Sequence, residues 1–280
     1  MPHRLPVSFC LPCALALLLV GGPAGAATIP LATYRAVHDL VLDKTAEGAA
    51  IDTAKGRLVT EFTGSACTAY TTVTRLVTEG LDSEGDKQVH DQRSTTVETP
   101  DGRFEFTNES YANDKLAEES RGVAQRNGSG SQVTVQLRAP THHRFAVAGG
   151  VAFPTEQIAR VIAAAEAGER FLAFDVYDGS GSGEEVLATA TVIGAPSTAT
   201  DDIGDETAIA DAGLAAVRHW PVTISYFEKH AGTDESPFFV LTSILYENGI
   251  IRSVRMDYGS FALVGRLTRL DVLPSGPCPD

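Results

Sequence analysis

The stretch "QVTVQLRA", residues 132–139, sets Val133, Val135 and Leu137 against Gln132, Thr134, Gln136 and Arg138. Successive side chains of an extended chain point to opposite faces, so this strict alternation predicts a β-strand with one face buried. The same pattern recurs on both sides of it. In "GRLVTEFTG" (56–64) Leu58, Thr60 and Phe62 share a face, and in "GRFEFT" (102–107) Phe104 and Phe106 lie opposite Arg103, Glu105 and Thr107. Further strands are read at "HRFAVA", "FLAFDVY", "VLATATVIG", "VTISYF", "FFVLTSILYE" and "IIRSVRMDY". Each has a single apolar face, the mark of an antiparallel sheet covered on one side.

Turn residues punctuate these runs. Asn248-Gly249 between two strands is the strongest hairpin signal, since both residues tolerate the positive φ of a type I′ turn. Pro100-Asp101-Gly102, Asp178-Gly179 and "NGSGS" (127–131) mark other turns. One helix interrupts the strands. In "FPTEQIARVIAAAEAGER" the residues Ile158, Val161, Ile162 and Ala165 recur at helical spacing, Pro154 and Thr155 suit the entry and Gly168 the exit, which predicts a helix over 155–167 lying on the sheet. A weaker helical segment is expected from Thr207 to Arg218, after an exposed loop "APSTATDDIGDE". The glycine-rich "DGSGSGEE" (178–185) reads as a flexible hairpin. No repeat or linker divides the chain, so one domain is expected over 27–280.

The first 26 residues have the three parts of a secretory signal: the basic start "MPHRLP", the apolar "VSFCLPCALALLLV" and an A-x-A site at Ala24-Gly25-Ala26, with cleavage expected before Ala27. No later apolar run approaches the roughly 20 residues of a membrane span. Cys10 and Cys13 have C-x-x-C spacing but fall inside the leader, without the βαβ context of a redox pair, and neither follows a lipoprotein-type tripeptide. The formal net charge of −14 becomes one unit more negative when Arg4 leaves with the leader, which opposes sequence-independent binding to nucleic acid or an anionic bilayer.

Two cysteines remain, Cys67 and Cys278. An even count in an exported chain favours an intramolecular disulfide over two free thiols or an intermolecular bridge. Catalytic motifs are missing: the sequence contains no G-x-S-x-G elbow, no H-E-x-x-H and no phosphate-binding loop. His142-His143 reads as a surface pair. Asp201, Asp202, Asp205 and Glu206 lack the alternating ligands of a calcium loop and read as solvated. Asn108-Glu109-Ser110 and Asn127-Gly128-Ser129 match the glycosylation sequon. Asp257-Tyr258-Gly259 reads as a turn closed by Asp, with Tyr packing on the sheet. No catalytic, cofactor-binding or metal-ligating residue is assigned.

Several blocks together resemble a known family. They are "YRAVHDLVL", "AKGRLVTEFTGSACTAY", "DGRFEF", "GGVAFPTEQIARVIAAAEAGE", "VYDGSGSG", "WPVTISYF" and "LYENGIIRSVRMDYGSFALVGRLTRLDVL", spanning about residues 34 to 273. The family is that of the EipB-type cell envelope integrity proteins of alphaproteobacteria, long catalogued as a periplasmic domain of unknown function. The resemblance implies a many-stranded antiparallel sheet curled into a spiral or open barrel around a central α-helix, with some likeness to outer-membrane lipoprotein carriers. It also implies a disulfide between a cysteine early in the sheet and one near the C-terminus, here Cys67 and Cys278. For function it implies a non-enzymatic, periplasmic role in envelope integrity and stress resistance, linked to tetratricopeptide-repeat partners, with no settled biochemical activity.

The expectation is thus a monomeric periplasmic protein that binds an envelope protein or an apolar, lipid-like ligand in the concave face of its sheet, without cofactor, nucleic acid or transmembrane segment. The rival readings are a hydrolase-type enzyme with an unrecognised site and a purely structural module that docks a repeat protein.

Overall fold

The computed structural model describes residues 29–47, 49, 51–128, 130, 132–200, 203–229, 236–276 and 278. The expected signal peptide (1–26) with its cleavage before Ala27, and Asp201 and Asp202, lie outside the described residues. Among the described residues, fourteen strands form one sheet. They are β1 (Thr33–Thr45), β2 (Ile51–Ser65), β3 (Ala69–Asp82), β4 (Lys87–Glu98), β5 (Arg103–Ala112), β6 (Lys115–Arg126), β7 (Gln132–Ala139), β8 (His143–Ala148), β9 (Phe171–Val176), β10 (Leu187–Ile193), β11 (His219–Glu228), β12 (Phe239–Tyr246), β13 (Ile251–Asp257) and β14 (Phe261–Leu273). Two antiparallel meanders, β1 to β8 and β9 to β14, join where β1 pairs with β14, giving the order β8-β7-β6-β5-β4-β3-β2-β1-β14-β13-β12-β11-β10-β9. The stretch 132–139 is β7, with Val133, Val135 and Leu137 buried.

The sheet curls without closing into a barrel. Its edges, β8 and β9, are linked through the chain by helix α1 (Pro154–Glu166), one residue off the 155–167 read from the sequence. Just before α1, Ala152 forms a parallel bridge to Val176: its N–H donates to the Asp175 carbonyl (2.8 Å) and its own carbonyl accepts from Tyr177 (2.9 Å). Inside the curl α1 buries Val161 and Ile162 against Tyr34, Phe62, Trp220, Leu245 and Leu267. Phe153, the residue before the helix, offers no capping side chain. Instead the Glu98 carboxyl on β4 accepts the Thr155 N–H (2.6 Å), satisfying one of the free donors at the helix start. Arg126 ties the same end to Glu156 (2.9 Å) and to the carbonyl of Val151 (3.2 Å). At the other end Glu166 pairs with Arg218 (3.0 Å).

Four sequence expectations need correction. The segment 207–218 is helical only as α2, Ala208–Asp211, because Gly213 turns the chain to φ +74 and the Leu214 N–H bonds back to Ile209. The acidic loop is not uniformly solvated: Glu206 is 3% exposed. Its carboxylate enters between β13 and β14, where their pairing stops at Val254 and Gly265. Oε1 accepts the backbone N–H groups of Ser253 (2.9 Å) and Leu267 (2.7 Å), and Oε2 accepts from Arg252 (3.2 Å), which also donates to Tyr246 (3.0 Å). One carboxylate thus replaces the missing ladder bonds, as buried backbone donors require. The glycine-rich loop 178–185 is a packed turn rather than a flexible one. Gly179 lies so close to Phe106 that a Cβ there would come within 2.4 Å of the ring. Finally, the Asn248-Gly249 hairpin forms, but only Gly249 has positive φ, and its N–H bonds to Tyr246 (2.9 Å). The turn with two left-handed residues, as type I′ demands, is Asn113-Asp114 between β5 and β6.

Candidate ligand-binding trough

The concave face is built from strand register. On β3 the even residues Thr72, Thr74 and Leu76 point inward, and pairing places each in a row across β2 to β6. The middle row is Thr60, Thr74, Ser94, Asn108 and Ser120, one residue per strand. Toward the start of β1 runs Phe62, Thr72, Thr96 and Phe106; toward its end, Leu58, Leu76, Gln92 and Ser110. Cross-strand neighbours lie about 5 Å apart, so five small polar side chains form a continuous ladder.

Three of the five ladder residues are locked. Ser94 donates to Asn108 Oδ1 (2.7 Å), Asn108 Nδ2 donates to Ser120 Oγ (3.1 Å) and to the Gly179 carbonyl (2.9 Å), and Ser120 also reaches that carbonyl. The loop that its glycine content reads as flexible therefore anchors the ladder. The remaining two, Thr60 and Thr74, and Thr72 and Gln92 in the adjacent rows make no side-chain hydrogen bond among the described residues.

Opposite the ladder the wall is apolar and aromatic. A cavity of about 580 Å³ is bounded by the ladder on one side and by Ile158 of α1, Phe239, Ile251, Met256 and Tyr258 on the other. A second cavity of about 390 Å³ lies toward the turns that join β3 to β4 and β13 to β14, with Ala54, Leu81, Phe261 and Leu263 in its wall. Both include Leu76, Gln92 and Tyr258, so they are two lobes of one trough. Two aromatic stacks flank it: Tyr34, Phe62 and Tyr70 (centroids 5.9 and 4.9 Å apart), and Phe239, Tyr258 and Phe261 (5.0 and 4.9 Å).

The electrostatics of the trough are mildly acidic. Glu79, Asp82, Glu109, Glu118 and Asp178 border it against the single guanidinium of Arg93. Lys55 and Lys87 hold Glu79 from outside, and their hydrogen bonds and charge lower its pKa. Burial pushes the Tyr34 phenol up to about 12 and raises Tyr258, so both remain hydrogen-bond donors at any physiological pH. Among the described residues no three His, Cys, Asp or Glu side chains converge as a metal site. The ladder hydroxyls donate to an amide and a carbonyl rather than to a base, so the arrangement suits binding better than nucleophilic chemistry.

The residues singled out in the sequence fall mostly elsewhere. His143 sits at the sheet edge, 3.4 Å from Glu184 and stacked on Phe145, with His142 exposed beside it. Asp205 pairs with Arg266 on the surface. Asp257 accepts the Gly259 N–H (2.9 Å), closing its turn, while Tyr258 both packs on the sheet and faces the trough. Asn108, the sequon asparagine, is held inside the ladder. Cys67 and Cys278 are bonded in the structure, with Cα atoms 5.3 Å apart, near the β2–β3 turn at the opposite end from the second lobe. Thr72, Thr74, Ser94, Thr96 and Ser120 carried no sequence signal; only the register gathers them.

Comparison with known proteins gives a consistent answer. The EipB-like family model matches residues 25–274. The cell envelope integrity protein EipB of Brucella abortus (strain 2308) is 36% identical over 257 residues, covering 91% of this chain and 89% of its own length. Among solved structures, a Brucella abortus protein described as a beta-barrel-like protein of a domain of unknown function, DUF1849, superposes with a TM-score of 0.81 at 35% identity, over 88% of this chain and all (100%) of that one.

Proposed function

The chain belongs to the EipB-like family, and from that premise we propose that it is exported to the periplasm and supports the integrity of the cell envelope by non-enzymatic binding of an envelope ligand in the trough. The envelope role comes from the name of the Brucella relative. Export rests on the signal-like leader of residues 1–26. No helix among the described residues is long and apolar enough to cross a membrane.

The carrying observation is the two-lobed trough. Concave sites of several hundred Å³ with an apolar wall and a few placed polar groups are the usual form of a small-molecule site, and the Ile251, Met256, Tyr258 and Phe239 wall suits an acyl or other apolar chain. Protein isolated from the periplasm without detergent should carry a co-purifying amphiphile, seen by native mass spectrometry and by extraction. Recovery of empty protein at full yield, from cells in several growth states, would remove the reading.

A second reading has one observation in its favour. Strand β8 ends the sheet with His143, Arg144, Ala146 and Ala148 exposed, and an open strand edge accepts an extended segment of a partner protein. Crosslinking from β8 in cells would capture such a partner, for example a tetratricopeptide-repeat protein; absence of any specific product would leave the trough alone.

A further inference from the structure

The trough treats its two walls differently, and this separates possible head groups. Its polar wall contains hydroxyls and amides without a charge in its centre. Among the described residues Thr60, Thr72, Thr74 and Gln92 make no side-chain hydrogen bond. Thr96 in the adjacent row is buried, at 7% exposure, faces the larger cavity, and has no hydrogen-bonding partner among the described residues either. A hydroxyl that opens into a cavity meets either water or a ligand. The locked trio Ser94, Asn108 and Ser120 keeps the row in register behind these open groups. Of the two aromatic groups, Phe239-Tyr258-Phe261 is half-buried and lines the lobes, while Tyr34 and Phe62 border the larger lobe from within the core at 7% and 5% exposure.

We propose that the open hydroxyl patch at Thr60, Thr72, Thr74, Gln92 and Thr96 binds an uncharged sugar ring. A pyranose has apolar C–H faces that lie against aromatic rings and a rim of hydroxyls that donate and accept, matching an aromatic-flanked ladder of Ser, Thr, Asn and Gln. Phosphate and sulfate head groups are disfavoured, because five carboxylates border the trough against one arginine. A quaternary ammonium finds no central carboxylate among the open groups. The inference rests on the reading of the trough as the ligand site and names the polar half of what it holds. The ring could arrive as the head of a glycolipid or as part of a free glycan.

Three probes of the protein below micellar concentration separate these cases: octyl glucoside, octyl phosphate and maltose, followed by NMR of labelled threonine methyls and by calorimetry. Octyl glucoside should bind at least about tenfold more tightly than octyl phosphate and shift the methyls of Thr60, Thr72, Thr74 and Thr96. The shape-preserving double variant Thr72→Val/Thr74→Val should weaken octyl glucoside about tenfold, the value of two modest hydrogen bonds, and leave octyl phosphate unchanged. Binding of maltose as well points to a free glycan; binding of octyl glucoside alone points to a glycolipid, and either supports the sugar site. Equal binding of both octyl compounds, or an unchanged double variant with a native spectrum, overturns the sugar site while the ligand trough stands. If no octyl compound moves any trough methyl, both are lost.

Discussion

The two ends of the curled sheet use the same strands to different effect. At the end where β1 begins, inward side chains are covered: Trp220, Ile162 and Ile209 are almost wholly buried between α1, α2 and the sheet, Glu206 fills the gap between β13 and β14, and the Cys67–Cys278 bond lies at the β2–β3 turn. At the end where β1 finishes, Leu40, Val254, Met256 and Leu263 form a small core, and beyond it the same faces line open space. The larger lobe reaches back to Tyr34, Phe62 and Thr96 near the start of β1, so the lesson is that cover by α1, α2 and Glu206, rather than position along the strands, separates stability from binding. Substitutions at the covered end should lower stability, and substitutions in the trough should change binding with little cost.

The largest stability effect is expected at Glu206. Glu206→Ala leaves Arg252 without its buried carboxylate and strips two backbone donors of their acceptor, and breaking a buried pair in this way costs about 3–5 kcal/mol. Urea unfolding measures it; a loss below about 1 kcal/mol, the range of an exposed pair, would erase the contrast between the ends. Next is the covalent clasp. Cys278→Ala should lower stability by about 2–4 kcal/mol under oxidising conditions and by nothing under reduction, on the chain-entropy account of a long closed loop. Gly179→Ala should cost about 1–3 kcal/mol by driving a methyl into Phe106 and displacing the carbonyl that anchors Asn108 and Ser120. That variant joins the two regions, since it should also loosen the locked part of the ladder.

The smallest effects are the pH responses, and here two buried groups oppose each other. His38 donates from Nε2 to the Ile251 carbonyl (3.3 Å), and burial lowers its pKa below 6.5. With the folded value below the unfolded one, its contribution is complete above pH 6.5 and is lost as pH falls through the folded value. Glu98, under the α1 N-terminus, has its pKa raised above 4.5 by burial. Its contribution is complete below pH 4.5 and is lost as pH rises through the folded value. Thermal unfolding between pH 4 and 8 should therefore show His38→Gln relieving the acid-side loss, and Glu98→Gln gaining on the parent protein as pH rises. An acid-side slope unchanged in His38→Gln would contradict the assignment.

Much of the fold was legible because hydrophobic alternation marks strands that face a core. Val133, Val135 and Leu137 announced β7, and the Ile158, Val161, Ile162 stripe announced α1. The same signal was silent for β3, β4 and β6. Their inward positions carry Thr72, Thr74, Ser94, Thr96 and Ser120 among only a few apolar residues such as Leu76 and Ala124, so no sustained apolar period marks them. The residues that form the candidate site are thus the ones that concealed its strands. Glu206 is hidden in the sequence for a related reason: a run of acids signals solvent unless a splayed strand pair needs an acceptor, and no local pattern reveals that need.

The most direct test of the trough is to fill it. Leu76, common to both lobes, is half-buried on β3 beside the Leu40, Val254, Met256 and Leu263 core and faces the trough, so Leu76→Trp should occupy part of the trough while leaving the α1 and α2 packing untouched. In cells lacking the native gene, under envelope stress, the account predicts that Leu76→Trp accumulates to the parent level, unfolds at a similar temperature and fails to restore survival. Full restoration by a stable, correctly folded Leu76→Trp protein would contradict it.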